Sequence, residues 1–185
     1  MSAPASDTDT KEIPEATVLF AGDSGDGMQV TGSQFTLASA YAHNDLATLP
    51  DYPAEIRAPA GTTFGVSAFQ LHFGASEVRT PGEKVDLLVA MNAAALKVHL
   101  HRVRPGGTII ANVDAFEEKD LKKADLDSNP LTDGTLNEYQ VQEVPLTKIT
   151  REELSDTDLS VQEIDRSKNM VALGLALWMY DRPVE

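Results

Sequence analysis

The first apolar run of the chain, TVLFAG at residues 17–22, is short, unbroken and rich in β-formers, the pattern of a buried strand. It runs straight into a turn of glycines and acids. From Gly27 to His43 the segment GMQVTGSQFTLASAYAH places Met28, Phe35, Leu37, Ala38 and Tyr41 at roughly helical spacing, so strand, turn and helix form the first half of a crossover unit. In the next stretch Pro50, Pro53 and Pro59 break any helix, and Leu49, Tyr52 and Ile56 supply apolar groups for an ordered loop to pack. A β-like run from Phe64 to Phe73 closes it. VDLLVAMNAAALKVHLHRVRPGGTIIANVD then reads as strand, alanine-rich helix, Pro-Gly-Gly turn and second strand.

Residues 115–137 are charged and rich in turn formers, predicting a short helix and surface loops around NPLTDG. YQVQEVPLT alternates as a half-buried or edge strand. In DRSKNMVALGLALWMYDRP, Ser167 is placed to cap a helix that is apolar nearly all round, which calls for cover on several sides, from the sheet layer or from a partner. Strands alternating with helices predict an α/β fold, a mostly parallel sheet covered by helices on both faces.

At 185 residues and 42% hydrophobic composition, the chain suits one ordinary domain with a sizeable core. Its 29 acidic against 15 basic residues, a net charge of −14, argue against nucleic acid as a partner, because phosphate binding needs clustered Lys and Arg. With no cysteine, it can supply no disulfide, thiolate zinc site or iron–sulfur cluster. Residues 1–16, MSAPASDTDTKEIPEA, lack both the basic start and the apolar core of a signal peptide and read as a disordered acidic tail on a cytoplasmic protein. No run of about 18 uncharged apolar residues predicts a membrane span.

The chemistry to be explained is concentrated in LFAGDSGDGMQ, residues 19–29. Glycine turns between strand and helix cradle phosphates, because backbone amides approach the anion and the helix amino end attracts it. Here Asp23 and Asp26 stand where a phosphate would sit. The dinucleotide fingerprint is incomplete: Gly25 and Gly27 supply its first pair, but Val30 occupies the third place. No Gly-Lys-Ser/Thr follows, which excludes a P-loop. GDG also matches part of the thiamine-diphosphate motif, yet Asn44 comes too early for that motif's asparagine. Taken alone, the turn fits best as one whose Asp23, Ser24 or Asp26 caps the first helix.

Asn92 closes an apolar strand at its carboxyl end, where open α/β sheets collect ligands, and is equally placed to cap the alanine-rich helix. Arg57, the cation of an apolar loop, can grip an anion bidentately or satisfy Glu55 and loop carbonyls. His99 and His101, two apart on a helix, face different ways, and His72 alternates with Gln70 along a strand as a structural residue. No serine–histidine–aspartate set or helical carboxylate pair emerges.

Together FAGDSGDGMQVTGSQF, PDYPAEIRAPAGT, GVSAFQLHFG, VAMNAAALK, GGTIIAN and DRSKNMVALGLALWM resemble the gamma domain of 2-oxoacid:ferredoxin oxidoreductases, closest to the form at the amino end of the 2-oxoglutarate:ferredoxin oxidoreductase alpha subunit. The resemblance implies a Rossmann-like three-layer domain over residues 17–185, working inside an enzyme that decarboxylates a 2-oxoacid on thiamine diphosphate with magnesium. It passes electrons through iron–sulfur clusters to ferredoxin and the acyl group to coenzyme A. The implied direct partners are the thiamine-binding alpha domain and the beta subunit, which with other domains carry the cofactors. This chain would then be a component inactive alone, either a separate gamma subunit or part of a longer alpha subunit. Carried onto this sequence, Gly22, Ser24, Gly25, Asp26, Gly27, Met28, Gln29, Arg57 and Asn92 would face the coenzyme A and active-site channel. The competing expectation is a stand-alone nucleotide-binding or scaffold protein.

Overall fold

A computed structural model describes residues 12–52 and 65–183. Its strands are β1 (Glu15–Asp23), β2 (Asp45–Asp51), β3 (Val66–Gly74), β4 (Val85–Ala90), β5 (Val103–Asn112) and β6 (Gln140–Val144). Its helices are α1 (Met28–Tyr41), α2 (Ala93–His99), α3 (Glu118–Lys123), α4 (Leu146–Glu153), α5 (Val161–Arg166) and α6 (Lys168–Met179). The strands form one sheet in the order β2-β3-β1-β4-β5-β6. β1, β4, β5 and β6 pair in parallel, and β3 lies antiparallel between β1 and β2, so five of the six strands point the same way.

Side chains leave the sheet alternately, and the two sets build two cores. Val18, Phe20, Leu71, Leu87, Val89 and Ile110 meet Met28 and Phe35 of α1 and Ala172, Leu173 and Ala176 of α6. Leu19, Ala21, Leu88, Ala90, Ile109 and Ala111 meet residues 93–96 of α2 on the other face. The result is the expected three-layer α/β arrangement. Alanines let α2 lie close on β1 and β4, and Gly32 does the same for α1: a Cβ there would come within 2.1 Å of the Phe69 ring.

Three local expectations are corrected. Residues 45–51 form an edge strand rather than a loop, and Leu49 and Tyr52 stand exposed instead of packing inward; Ile56 lies outside the described residues. Pro50 is tolerated there because an edge strand leaves one side of its ladder unpaired. The Pro-Gly-Gly segment sits inside β5 as an irregularity: Val103 pairs with Val85 and Thr108 with Leu87, and Gly106 adopts a φ of 72°. Ser167 does not cap α6, because its hydroxyl donates back to the Glu163 carbonyl at 3.0 Å. α6 buries Ala172, Leu173, Ala176 and Leu177 in the core and leaves Met170, Trp178 and Met179 exposed. The expected half-buried or edge strand in 139–147 is the edge strand β6, followed by α4, and α4 and α5 are helices that their short, polar sequences concealed.

Candidate functional site

The chain leaves β1 through α1 toward β2 on one flank, and leaves β4 through α2 toward β5 on the other. Since α1 and α2 lie on opposite faces, the connections diverge at the carboxyl ends of β1 and β4, the switch point where open sheets receive ligands. Asp23 ends β1 and Asn92 follows β4, so the topology brings both to this point. Asn92 Nδ2 donates to Asp23 Oδ1 at 2.8 Å, while Asn92 Oδ1 accepts the Ala95 amide at 2.8 Å and caps α2. Asn92 is thus the cap of α2 and stands at the switch point. The cleft there holds only about 50 Å³ among Asp23, Asn92, Ala93, Asp120 and Lys123, room for little more than water.

The glycine turn is built to keep its carboxylates inside. Asp26 Oδ2 accepts the Asp23 amide at 2.9 Å and Oδ1 takes Lys168 Nζ at 2.7 Å, with both side chains of that ion pair under 20% exposed. Gly22 leaves room for this fold-back, since a Cβ would sit 2.8 Å from Asp26 Oδ2 and 3.0 Å from Met91 Cβ. Gly27 turns the chain into α1 at a φ of 72°, with Asn169 Nδ2 donating to its carbonyl at 3.5 Å. Burial, and after it the Asp26 charge, hold the Asp23 carboxyl above the usual carboxylate range, against the pull of Asn92 and Lys168.

This geometry overturns the reading of Asp23, Ser24 or Asp26 as the cap of α1. Gly27 is the N-cap, and among the described residues no side chain caps the helix and the amides of Met28, Gln29 and Val30 have no partner. The negative charge that seemed to bar an anion is instead spent on Lys168 and the Asp23 amide.

The predicted residues divide accordingly. Ser24 and Gly25 form the exposed tip, and Gly25 has nothing within 4 Å of a Cβ position. The Met28 side chain is buried in the core, leaving only its amide at the turn. Gln29 Nε2 reaches away to the Ala68 carbonyl at 2.9 Å and Ser67 Oγ at 3.2 Å, tying α1 to β3. Arg57 lies outside the described residues.

Three polar side chains that the sequence reading passed over complete the site: Lys168, Asn169 and Asn112. Asn112 is fully buried at the end of β5, donating to the Met91 carbonyl at 3.1 Å and accepting the Leu146 amide at 3.0 Å. It thereby fixes the end of β4, on which Asn92 stands. The only signal for it was an asparagine closing an apolar run, the same signal that singled out Asn92.

The other sequence candidates do not join this site. His99 is 4% exposed with no ring partner among the described residues, His101 is exposed, and His72 bonds the Thr80 carbonyl and faces Glu15. Asn44 and Asp26 sit beyond opposite ends of α1, about 20 Å of helix apart, so they cannot share a metal as the thiamine motif requires. No group of three His, Asp or Glu side chains among the described residues is gathered to hold a metal, and no described helix is long and apolar enough to cross a membrane.

Comparison with known proteins agrees with this architecture. The family model described as Pyruvate ferredoxin/flavodoxin oxidoreductase matches residues 17–184. A 2-oxoglutarate oxidoreductase subunit KorA from Mycobacterium tuberculosis is 46% identical over 177 residues, 96% of this chain and 27% of that protein, so the chain spans about a quarter of that relative's length. The fold also resembles a 2-oxoglutarate:ferredoxin oxidoreductase from Magnetococcus marinus (TM-score 0.66, 23% identity, 90% of this chain and 24% of that one). It resembles, too, the gamma subunit of a keto/oxoacid ferredoxin oxidoreductase from Geobacter sulfurreducens (TM-score 0.58, 18% identity, 88% of this chain and 75% of that one). With one family model matched over residues 17–184, from within β1 to past the end of α6, the chain belongs to the pyruvate ferredoxin/flavodoxin oxidoreductase family.

Proposed function

We propose that this chain is the gamma-type component of a 2-oxoglutarate:ferredoxin oxidoreductase, a single domain from residue 17 onward that follows a short acidic tail. The observation that carries this reading is the 46% identity over 177 residues to the KorA subunit. Oxidative decarboxylation on thiamine diphosphate, electron transfer through iron–sulfur clusters to ferredoxin, and acyl transfer to coenzyme A belong to the assembled enzyme. Within it this chain supports assembly with the alpha and beta parts and positions coenzyme A.

The described residues do not suit thiamine diphosphate, because Asn44 lies at the far end of α1 from Asp26 and the Asp26 carboxylate is taken by Lys168 and the Asp23 amide. They do suit an anionic group at the amino end of α1. The uncapped amides of residues 28–30 and the open tip at Gly25 are donors and space of the kind a coenzyme phosphate needs, with Arg57 as the added cation. Coenzyme A supplies the thiol that accepts the acyl group; this chain's part is to hold its phosphates.

Calorimetric titration of coenzyme A into the assembled enzyme and into this chain alone tests the reading. Tight binding by the enzyme, weak binding by the chain, and at least tenfold weaker enzyme binding after Arg57→Ala are expected. Equal tight binding by both, or no effect of the substitution, overturns it.

A further inference from the structure

The helical layer of α1 and α6 carries a surface unlike the rest of the molecule. α1 contains no charged residue, and the one charge of α6, Lys168, is folded onto Asp26. The two helices lie side by side, joined by Asn169 against Gly27 and by the Phe35 and Tyr180 rings at 6.1 Å. Their exposed positions include Val30, Leu37 and Tyr41 on α1, with the neutral Ser33 and Gln34 between them, and Met170, Gly174 and Trp178 on α6. The α6 trio recurs every four residues, one row along the helix. Trp178, the only tryptophan of the chain, is 74% exposed, and nothing approaches within 4 Å of a Cβ at Gly174, leaving a notch beside it. An uncharged row with an exposed tryptophan and a notch, on a chain of net charge −14, has the composition of an interface centre rather than of a solvated face.

We propose that this face docks the part of the oxidoreductase that the longer relatives carry beyond this domain. The inference rests on the function proposed above. Two facts favour that occupant. This unit makes up 27% of the KorA protein and 24% of the Magnetococcus chain, yet its fold also fills 75% of a separate gamma subunit, so a separately made unit must be held by its surface alone. A second copy is disfavoured by charge, since two chains of −14 repel around any shared contact. The acidic segment at residues 1–11 carries no apolar side chain beyond Met1, alanine and proline to fill the notch.

The test uses this chain with 5-fluorotryptophan at its single tryptophan, mixed with the unlabelled remaining polypeptides of the enzyme. Fluorine resonance is read for the wild type and for Val98→Lys, an exposed apolar control on α2, and light scattering for these two and for Trp178→Glu, which carries no label. Expected are a shifted, solvent-protected Trp178 signal on assembly, at least tenfold weaker association for Trp178→Glu with an unchanged unfolding midpoint, and no effect of Val98→Lys. Assembly that leaves the fluorine signal or the Trp178→Glu affinity unchanged overturns the face while leaving the proposed function standing. Protection that grows with the concentration of this chain alone assigns the face to a second copy and overturns the occupant. No association by any form overturns the function proposed above, and this inference with it.

Discussion

At the scale of single residues, the Asp26–Lys168 pair decides what the glycine turn can do. It joins positions far apart in sequence, is mostly buried, and holds one end of α6 on the turn. Removing one partner leaves a charge with too little compensation, which costs more than the pair itself contributes. Lys168→Met should therefore lower stability by about 2 kcal/mol in urea titrations, and Asp26→Asn in the same background should recover part of the loss. Additive losses would show that the pair is not coupled. Asp23→Asn keeps an acceptor for Asn92 and removes a carboxylate whose ionisation the fold disfavours. A raised native pKa means the ionised group weakens the fold at neutral pH and ceases to do so once it is protonated in acid. The variant should thus melt higher at pH 7, an advantage that shrinks as pH falls; a uniform gain at every pH would point to packing instead.

His99 gives the opposite sign. Burial first, and the Arg102 charge second, pull its imidazole down to about 4, so the native state keeps it neutral while the unfolded chain protonates it near 6.5. Stability is then whole above pH 6.5 and falls as pH drops toward 4, by up to about 3 kcal/mol over that window. His99→Leu should flatten this acid limb without lowering stability at pH 7. An unchanged limb would place the acid sensitivity elsewhere.

At the scale of elements, the spacing between α1 and the sheet rests on one absent side chain. Gly32→Ala drives a methyl into the Phe69 ring, inside a core that has no slack, and should cost about 3 kcal/mol by calorimetry. Gly25→Ala meets nothing and should be neutral within about 0.5 kcal/mol. Equal effects would refute the packing account. The same logic explains which elements were legible in sequence. β1, α1, β4, α2 and β5 are buried on their own periodicities, so TVLFAG and VDLLVAMNAAALK announce them directly. β2 is an exposed edge, and α4 and α5 are short and polar, so their hydrophobic pattern is faint and tertiary contacts define them. At the site, Gly22, Gly27 and Asn92 were legible because local backbone geometry demands them. Lys168, Asn169 and Asn112 act across folds of the chain that no local spacing reports, which is why Asp26 was misread as a cap.

At the scale of the whole molecule, the charge of −14 opposes the compact state everywhere except where acids are paired. The ion pairs at the surface, such as Arg79–Glu77 and Lys122–Glu118, are exposed and contribute little. Long-range repulsion among the surplus carboxylates is the larger surface term, and added salt screens it over a distance that shrinks from about 30 Å at 0.01 M to about 10 Å at 0.1 M. The Asp26–Lys168 pair, between the turn before α1 and the first residue of α6, is mostly buried, so salt screens it less. Raising NaCl from about 0.01 to 0.5 M should accordingly raise the unfolding midpoint of the wild type, and the destabilisation by Lys168→Met should stay nearly constant across the series. A midpoint that falls with salt would mean that attractive pairs, not surplus acid, dominate the surface. A Lys168→Met effect that disappears at high salt would mean that the turn is held by a solvent-exposed contact, contrary to the burial of both side chains.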